Sequence, residues 1–131
     1  MKARLGYVIR FASDLERSVA FYRDSLGLEV EHEAPGYAAF RVDGPVVFAL
    51  LARERVAGLV EDESLPPPQD RHEGEIVFLT DDVDALYETL VEKSVAFLCP
   101  PTDRPWGERT AYFKDPDGYL VEIAAKQRPT D

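Results

Sequence analysis

The chain has 131 residues, of which 45% are apolar and 31% charged, and its 25 acidic and 15 basic residues leave a formal net charge of −10. One domain is expected at this length, and the single cysteine, Cys99, excludes an intramolecular disulfide or a cysteine-rich zinc module. The basic residues form no positive stripe of the kind that binds nucleic acid, and no apolar run has the length of a signal peptide or a membrane span. We therefore expect a cytoplasmic protein whose partners include neither nucleic acid nor a membrane.

The first half of the chain predicts a strand, a helix and three more strands. A run rich in β-branched and aromatic residues follows Gly6 and predicts the first strand. Leu15, Val19 and Leu26 then recur at helical spacing, and either Ser13 or Asp14 can cap the start of that helix. Gly27 suits the left-handed position at which a helix ends. Three shorter strands are predicted at about 28–33, 37–42 and 46–52, and the turn before the last of them contains Asp43-Gly44.

The second half repeats this order. Gly74 matches Gly6, Asp82 matches Asp14, and Val83 matches Leu15, each 68 residues later. A strand and a helix capped by Asp81 or Asp82 are followed by strands at about 95–99, 109–114 and 119–125. Asp117-Gly118 takes the place of the first turn. The sequence therefore predicts an α+β fold made of two βαβββ repeats.

The two repeats are expected to form one pseudosymmetric domain, 1–131, because neither half buries enough surface alone. Repeat one covers about 4–57 and repeat two about 72–126, and a connection at about 58–71 contains three successive prolines, Pro66–Pro68. We interpret the whole stretch from Arg53 to Arg71 as a linker or lid without regular structure, because prolines cannot hold a regular ladder.

Two segments carry a resemblance to a known family. The sequence Asp14-Leu15-Glu16-Arg17-Ser18 with its helix, and Asp115-Pro116-Asp117-Gly118-Tyr119-Leu120-Val121-Glu122 near the end, resemble the vicinal oxygen chelate superfamily. That superfamily includes glyoxalase I, bleomycin and fosfomycin resistance proteins, methylmalonyl-CoA epimerases and extradiol dioxygenases. The resemblance implies a curled, U-shaped mixed sheet with the helices outside, and a concave cavity commonly completed by a second subunit. A homodimer is therefore expected.

The resemblance also implies four positions for metal ligands, on the first and last strand of each repeat. They fall on Tyr7 and Glu75 in the first strands, on Glu122 in the last strand, and on Phe48 or Ala49 in the remaining one. Tyr7 is a poor ligand at neutral pH and can serve as an aromatic wall, and neither Phe48 nor Ala49 can bind a metal. Glu122 either reaches the site or is the solvent-facing member of an alternating strand. Two carboxylates without a histidine make Zn²⁺ or Fe²⁺ unexpected, and leave Mg²⁺, Mn²⁺ or Ca²⁺ open.

Other candidates come from the residues themselves. Trp106 can stack on a flat or cationic ligand or plug the sheet edge, and Arg109 can bind a ligand anion or a neighbouring acid. His32 is expected to be exposed, and His72 offers a rearranged site just before Glu75. Cys99 is interpreted as a small buried residue with no positive partner nearby. The remaining aromatic residues line either cavity or core, with core preferred for most of them: Tyr37, Phe40, Phe48, Phe78, Phe97 and Tyr112.

Two functions follow from these candidates. In the first, the chain binds a small aromatic or cationic molecule in a concave cavity without a catalytic transition metal or other cofactor, through Tyr7, Phe48, Glu75, Trp106, Arg109 and Glu122. The net negative charge favours a cation there, although acidic surfaces usually serve solubility. In the second, Glu75 and Glu122 hold a divalent cation in a lyase, isomerase or dioxygenase. Acid–base catalysis by the same two carboxylates without metal is intermediate between them.

Overall fold

A computed structural model describes residues 2, 6–60 and 75–127. Contacts between Cα atoms divide the chain into two compact units, 1–68 and 69–131. Each unit contains one of the repeats that the sequence predicts. In the described part of the chain, no helix is long and apolar enough to cross a membrane.

Each unit has one four-stranded mixed sheet. The elements of the first are β1 (Tyr7–Ala12), α1 (Leu15–Ala20), β2 (Glu29–Ala34), β3 (Tyr37–Arg41), β4 (Val47–Ala52) and α2 (Arg53–Val60). Those of the second are β5 (Glu75–Leu79), α3 (Val83–Glu92), β6 (Phe97–Asp103), β7 (Glu108–Lys114) and β8 (Leu120–Lys126). The strand orders are β1-β4-β3-β2 and β5-β8-β7-β6, and the first and last strands of each repeat pair in parallel. The α+β class and the doubled βαβββ order are confirmed.

The first helix of each repeat begins at an aspartate, as the sequence predicts. Asp14 accepts a hydrogen bond from the backbone N–H of Arg17, and Asp82 accepts one from Ala85, both at 3.1 Å. These bonds satisfy amides that have no partner within the helix. Helix α1 continues directly into a π-helical turn at Phe21–Ser25. Gly27 follows at a φ of +80°, the left-handed conformation that glycine adopts without strain.

Helix α2 corrects the prediction that regular structure ends at Arg53. The chain turns directly from β4 into this helix, in which Val56 is buried, and the helix contacts β4 and β1. The guanidinium of Arg53 lies 5.7 Å from the centre of the Phe11 ring, and Arg55 Nη1 donates to the carbonyl of Pro35 at 2.8 Å. The prediction extended the irregular, proline-containing connection too far back, although arginine, glutamate, alanine and leucine in this segment favour a helix. Pro66–Pro68 and His72 lie outside the described residues.

The second sheet has two chemically different faces, because side chains alternate along each strand. One face packs on α3: the ring of Phe97 lies 4.5 Å from Tyr87 of the helix and 5.1 Å from Phe113. We call it the α3 face, and Val121 and Ile123 extend its core. The alternate residues point to the opposite side, which we call the open face. They are Glu75, Val77, Leu79, Glu108, Thr110, Tyr112, Lys114, Leu120, Glu122, Ala124 and Lys126.

Candidate functional site

Glu122 lies at the centre of the open face. It is in β8, opposite Val77 of β5 on one side and Tyr112 of β7 on the other. Only 5% of it is exposed, so the alternative in which it points to solvent is wrong. A carboxylate is seldom buried without partners, and Glu122 has two, Tyr112 and Glu75.

Glu75 joins Glu122 from the neighbouring parallel strand. It pairs with Leu120, two residues before Glu122 on the same face. Glu75 is exposed overall, yet partial desolvation of its carboxyl group raises its pKa, and the charge of Glu122 and hydrogen bonding with its carboxyl group raise it further. The two carboxyl groups therefore lie close enough on the open face for the charge of one to oppose ionisation of Glu75.

Tyr112 completes the cluster. Burial, the hydrogen bond to Glu122 and the charges of Glu122 and Glu75 raise the pKa of Tyr112 to about 12, against a smaller lowering by Arg104. The phenol is therefore protonated at neutral pH and donates to Glu122. The sequence left Tyr112 among the aromatic residues that line either cavity or core, with core preferred for most of them. The available signal was the turn at Asp117-Gly118, because a hairpin that turns there brings Tyr112 and Glu122 opposite each other.

We expect Glu75→Gln to stabilise the protein at neutral pH. A carboxyl group whose pKa is raised by folding contributes stability that is present below its unfolded value, near 4.5, and is lost as the pH rises through the folded value. Glutamine can donate to Glu122 at every pH. Because Glu75 is exposed and solvent screens its charge, the melting temperature of Glu75→Gln should exceed that of the wild type by only about one or two degrees at pH 7.5, and the gap should close toward pH 4.

Glu88→Gln is the control for that experiment, because Glu88 is exposed on α3 and its loss removes one negative charge from the acidic chain. Thermal melts followed by circular dichroism between pH 4 and pH 8 give the comparison. A Glu75→Gln protein that melts below the wild type at pH 7.5 would show that Glu122 does not oppose the ionisation of Glu75.

Arg109 lies on the α3 face rather than with Glu122. Its Nε and Nη2 donate to the two carboxylate oxygens of Asp84 at 2.7 and 2.9 Å, and its Nη1 donates to Asp103 at 3.1 Å. Of the two alternatives for Arg109, the structure shows the neighbouring acids. These bonds raise the pKa of Arg109 and tie the start of α3 to β6 and β7. Together with Asp81 and Asp82 the three residues line a cleft of about 370 Å³.

Trp106 lies on the turn between β6 and β7 and is 61% exposed. Its indole N–H donates to Glu108 Oε1 at 2.9 Å, which holds one edge of the ring. The backbone N–H of Gln127 donates to the carbonyl of Gly107 at 3.0 Å, so the turn is fixed to the end of β8. Its exposed ring is available for stacking.

The corresponding positions of the first repeat carry no ligating pair. The register sets Ile9 opposite Ala49 where the second repeat sets Val77 opposite Glu122, so Ala49 is the counterpart of Glu122. Phe48 is buried on the other side of its sheet, 5.0 Å from the ring of Tyr22. Tyr7, the counterpart of Glu75, is exposed on β1 opposite Val47.

The structure also tests the predictions for His32 and Cys99. His32 is exposed on β2, as predicted, with its ring 6.2 Å from that of Tyr37. The expectation that Cys99 has no positive partner is wrong, because Arg104 Nη2 donates to its Sγ at 3.5 Å. An irregularity in β6 between Phe97 and Cys99 sets Cys99 opposite Tyr112, and strand periodicity alone did not reveal it.

The donor set of the described residues does not fit a transition-metal centre. Among residues 2, 6–60 and 75–127, no group of three His, Cys, Asp or Glu side chains is placed to hold an ion. Glu75 and Glu122 are hard oxygen donors without an imidazole beside them in this part of the chain, whereas zinc and iron sites usually contain nitrogen or sulfur ligands.

Comparison with known proteins agrees with the fold. The chain matches the model of the Glyoxalase/Bleomycin resistance protein/Dioxygenase superfamily over residues 4–123 and belongs to that superfamily. It is 40% identical to the protein YraH of Bacillus subtilis strain 168, over 85% of this chain and 89% of that protein. It is 26% identical to metallothiol transferase FosB of Lysinibacillus sphaericus strain C3-41, over 91% of this chain and 79% of that protein.

Solved structures show the same likeness. The crystal structure of a glyoxalase/bleomycin resistance protein/dioxygenase from Nocardioides aligns with a TM-score of 0.84 and 26% identity, and covers 100% of this chain and 90% of that one. A lactoylglutathione lyase from Agrobacterium tumefaciens aligns with a TM-score of 0.73 at 24% identity, over 94% of this chain and 93% of that one. At that identity the likeness shows the fold alone.

Proposed function

We propose that the open face of the second repeat binds a small molecule through a cationic or other hydrogen-bond-donating group, without a catalytic transition metal. The observation that carries the proposal is the burial of Glu122 between Glu75 and the phenol of Tyr112. Two neighbouring carboxyl groups can accept hydrogen bonds from an ammonium or amidinium group, whose positive charge offsets their mutual repulsion.

Aromatic side chains support the same ligand class. The ring of Tyr112 lies next to the pair on the open face, and the exposed ring of Trp106 lies on the turn that leads into β7. Aromatic faces attract cations by about 0.5–2 kcal/mol. A flat cationic ligand would therefore gain both charge and stacking interactions. The expected homodimer and cytoplasmic location remain predictions.

Binding of cationic aromatic molecules tests the proposal. Phenethylamine and quaternary ammonium probes would be titrated into the full chain by calorimetry and by fluorescence of Trp106, its single tryptophan. We expect binding to the wild type and a loss of about tenfold or more in Glu122→Gln, because the amide has no charge to oppose the cation. Glu88→Gln should change the affinity less than twofold. A flat response across the probes would contradict the proposal.

A metal-dependent enzyme is the second candidate, favoured by the likeness to a protein named metallothiol transferase. In that case Glu75 and Glu122 would supply oxygen ligands, and a lyase, isomerase or dioxygenase reaction would use the ion to polarise substrate oxygens. Metal content after purification and titration of Mg²⁺, Mn²⁺, Zn²⁺ and Fe²⁺ separate the two candidates. Tight stoichiometric binding that disappears in Glu122→Gln would overturn the metal-free proposal.

A further inference from the structure

Arg104 occupies a fixed position at the edge of the open face. It follows β6, and its backbone N–H donates to the carbonyl of Glu108 at 2.7 Å. Its own carbonyl accepts from Gly107 N at 3.1 Å and from Gln127 Nε2 at 2.8 Å. The turn that carries Arg104 is therefore held from both sides, and little conformational entropy is left to lose when the side chain binds something.

The side chain of Arg104 is held by neutral groups of the open face. Its Nε donates to Thr110 Oγ1 at 2.8 Å and its Nη2 to Cys99 Sγ at 3.5 Å. Its Cζ lies 5.5 Å from the centre of the Tyr112 ring. Thr110 is fully buried, and Arg104 itself is half-buried. The guanidinium thus lies on the same surface as Glu122, with Tyr112 between them.

The guanidinium of Arg104 makes no ion pair with any of the described residues. Arg23 pairs with Asp24, Arg41 with glutamates of β2, and Arg109 with Asp84 and Asp103. Within 6–60 and 75–127, no carboxylate lies within ion-pair distance of Arg104, although the chain carries a net charge of −10. A half-buried cation is costly without an anion, and guanidinium groups bind carboxylate and phosphate groups with two parallel hydrogen bonds.

Glu122 and Arg104 carry charges of opposite sign and lie on either side of the Tyr112 ring. Glu122 lies opposite Tyr112 in β8, whereas Arg104 contacts Cys99 in β6 and Thr110 in β7. Cys99, Tyr112 and Glu122 lie opposite one another on three adjacent strands, so the strand that Arg104 contacts and the strand of Glu122 are about 10 Å apart at a spacing of about 4.8 Å. A small molecule that carries an anion and a cation a few bonds apart can reach both.

We propose that Arg104 binds the anionic group of a zwitterionic, amino-acid-like ligand whose ammonium group lies at Glu75 and Glu122. The cationic half of this inference rests on the proposed function, and the anionic half rests on Arg104 alone. The arrangement also assigns a role to Tyr112, which separates the two charges and offers its ring to the body of the ligand.

Three probes that share a phenyl ring test the inference: phenethylamine carries only the cation, hydrocinnamate only the anion, and L-phenylalanine both. Calorimetry with the full chain should show that phenylalanine binds about tenfold or more tightly than phenethylamine. In Arg104→Gln that advantage should disappear, while the affinity for phenethylamine stays within about twofold. Arg17→Gln, an exposed position of α1, is the matched control and should leave all three affinities unchanged.

A second measurement needs no variant. In the ¹⁵N-labelled wild type, hydrocinnamate should shift the Nε–H signal of Arg104 and leave that of Arg109, already bound to two aspartates, in place. Thermal melting of Arg104→Gln shows whether the variant folds. If it does not fold, the NMR titration still decides whether Arg104 binds the anion.

The outcomes separate this inference from the proposed function. Equal binding of phenylalanine and phenethylamine to the wild type would overturn the inference and leave the proposed function in place. If Arg104→Gln weakened the binding of phenylalanine and of phenethylamine equally, the inference would also be overturned. Arg104 would then only hold Tyr112 in place. Binding of hydrocinnamate at Arg104 without any binding of phenethylamine would instead overturn the proposed function and leave Arg104 as an anion site.

Discussion

Phe113→Ala should destabilise the protein by about 3–5 kcal/mol, the usual cost of removing a buried aromatic ring. Phe113 is 0% exposed and lies on the α3 face opposite Val121, with the ring of Phe97 5.1 Å away. Truncation removes both the transfer free energy of the ring and its contacts, and leaves a cavity under the strand that carries Tyr112. Since small domains are stable by about 5–15 kcal/mol, the loss is a large part of the total.

Urea denaturation followed by circular dichroism measures this effect. Phe40 is the counterpart of Phe113 in the first repeat, buried against Phe48, and Phe40→Ala should cost a similar amount. Leu98→Ala is the control: Leu98 lies in β6 with 53% of its surface exposed, so its truncation should change the free energy of unfolding by less than about 0.5 kcal/mol. A cost below about 1 kcal/mol for Phe113→Ala would contradict the packing.

Asp115→Ala should cost about 2–3 kcal/mol and weaken ligand binding as well. Asp115 is 6% exposed, and its Oδ1 accepts hydrogen bonds from the backbone N–H groups of Asp117 at 2.9 Å and Tyr119 at 3.0 Å. Alanine leaves both amides without that acceptor. Since this turn leads directly into β8, its disruption displaces the strand that carries Glu122.

Asp115→Asn is the matched variant, because the amide oxygen can accept the same two bonds. It should lose about 1 kcal/mol or less and bind phenethylamine nearly as well as the wild type. Urea denaturation and calorimetry on both variants give the test. If asparagine proves as damaging as alanine, the charge of Asp115, rather than its acceptor geometry, stabilises the turn.

Local signals predicted most of the fold. Asp14 and Asp82 stand where a helix needs a side-chain acceptor. In each repeat the aspartate accepts a hydrogen bond from a backbone N–H of the first helical turn. Gly27, Gly44 and Gly118 adopt positive φ, as the predicted helix end and the two turns require. These features depend on residues close in sequence, so composition and periodicity suffice to identify them.

The site was only partly predictable. The resemblance indicated Glu75 and Glu122, and the structure brings these two together. Arg109 was the arginine considered as a ligand-binding residue, but it is bound to Asp84, 25 residues away in the sequence. The arginine that contacts the open face is Arg104. No local pattern reveals such a pairing.

The sequence by itself determined the repeat, the α+β class and the positions of two carboxylates. Only the tertiary structure decided that Glu122 is buried, that Ala49 rather than Phe48 is its counterpart, and that Tyr112 donates to it. The physical reason is strand geometry: adjacent residues of a strand point to opposite faces, so a register uncertain by one residue leaves the face undecided. Pairing between distant strands removes that uncertainty, and it places a cation and an anion on either side of one tyrosine.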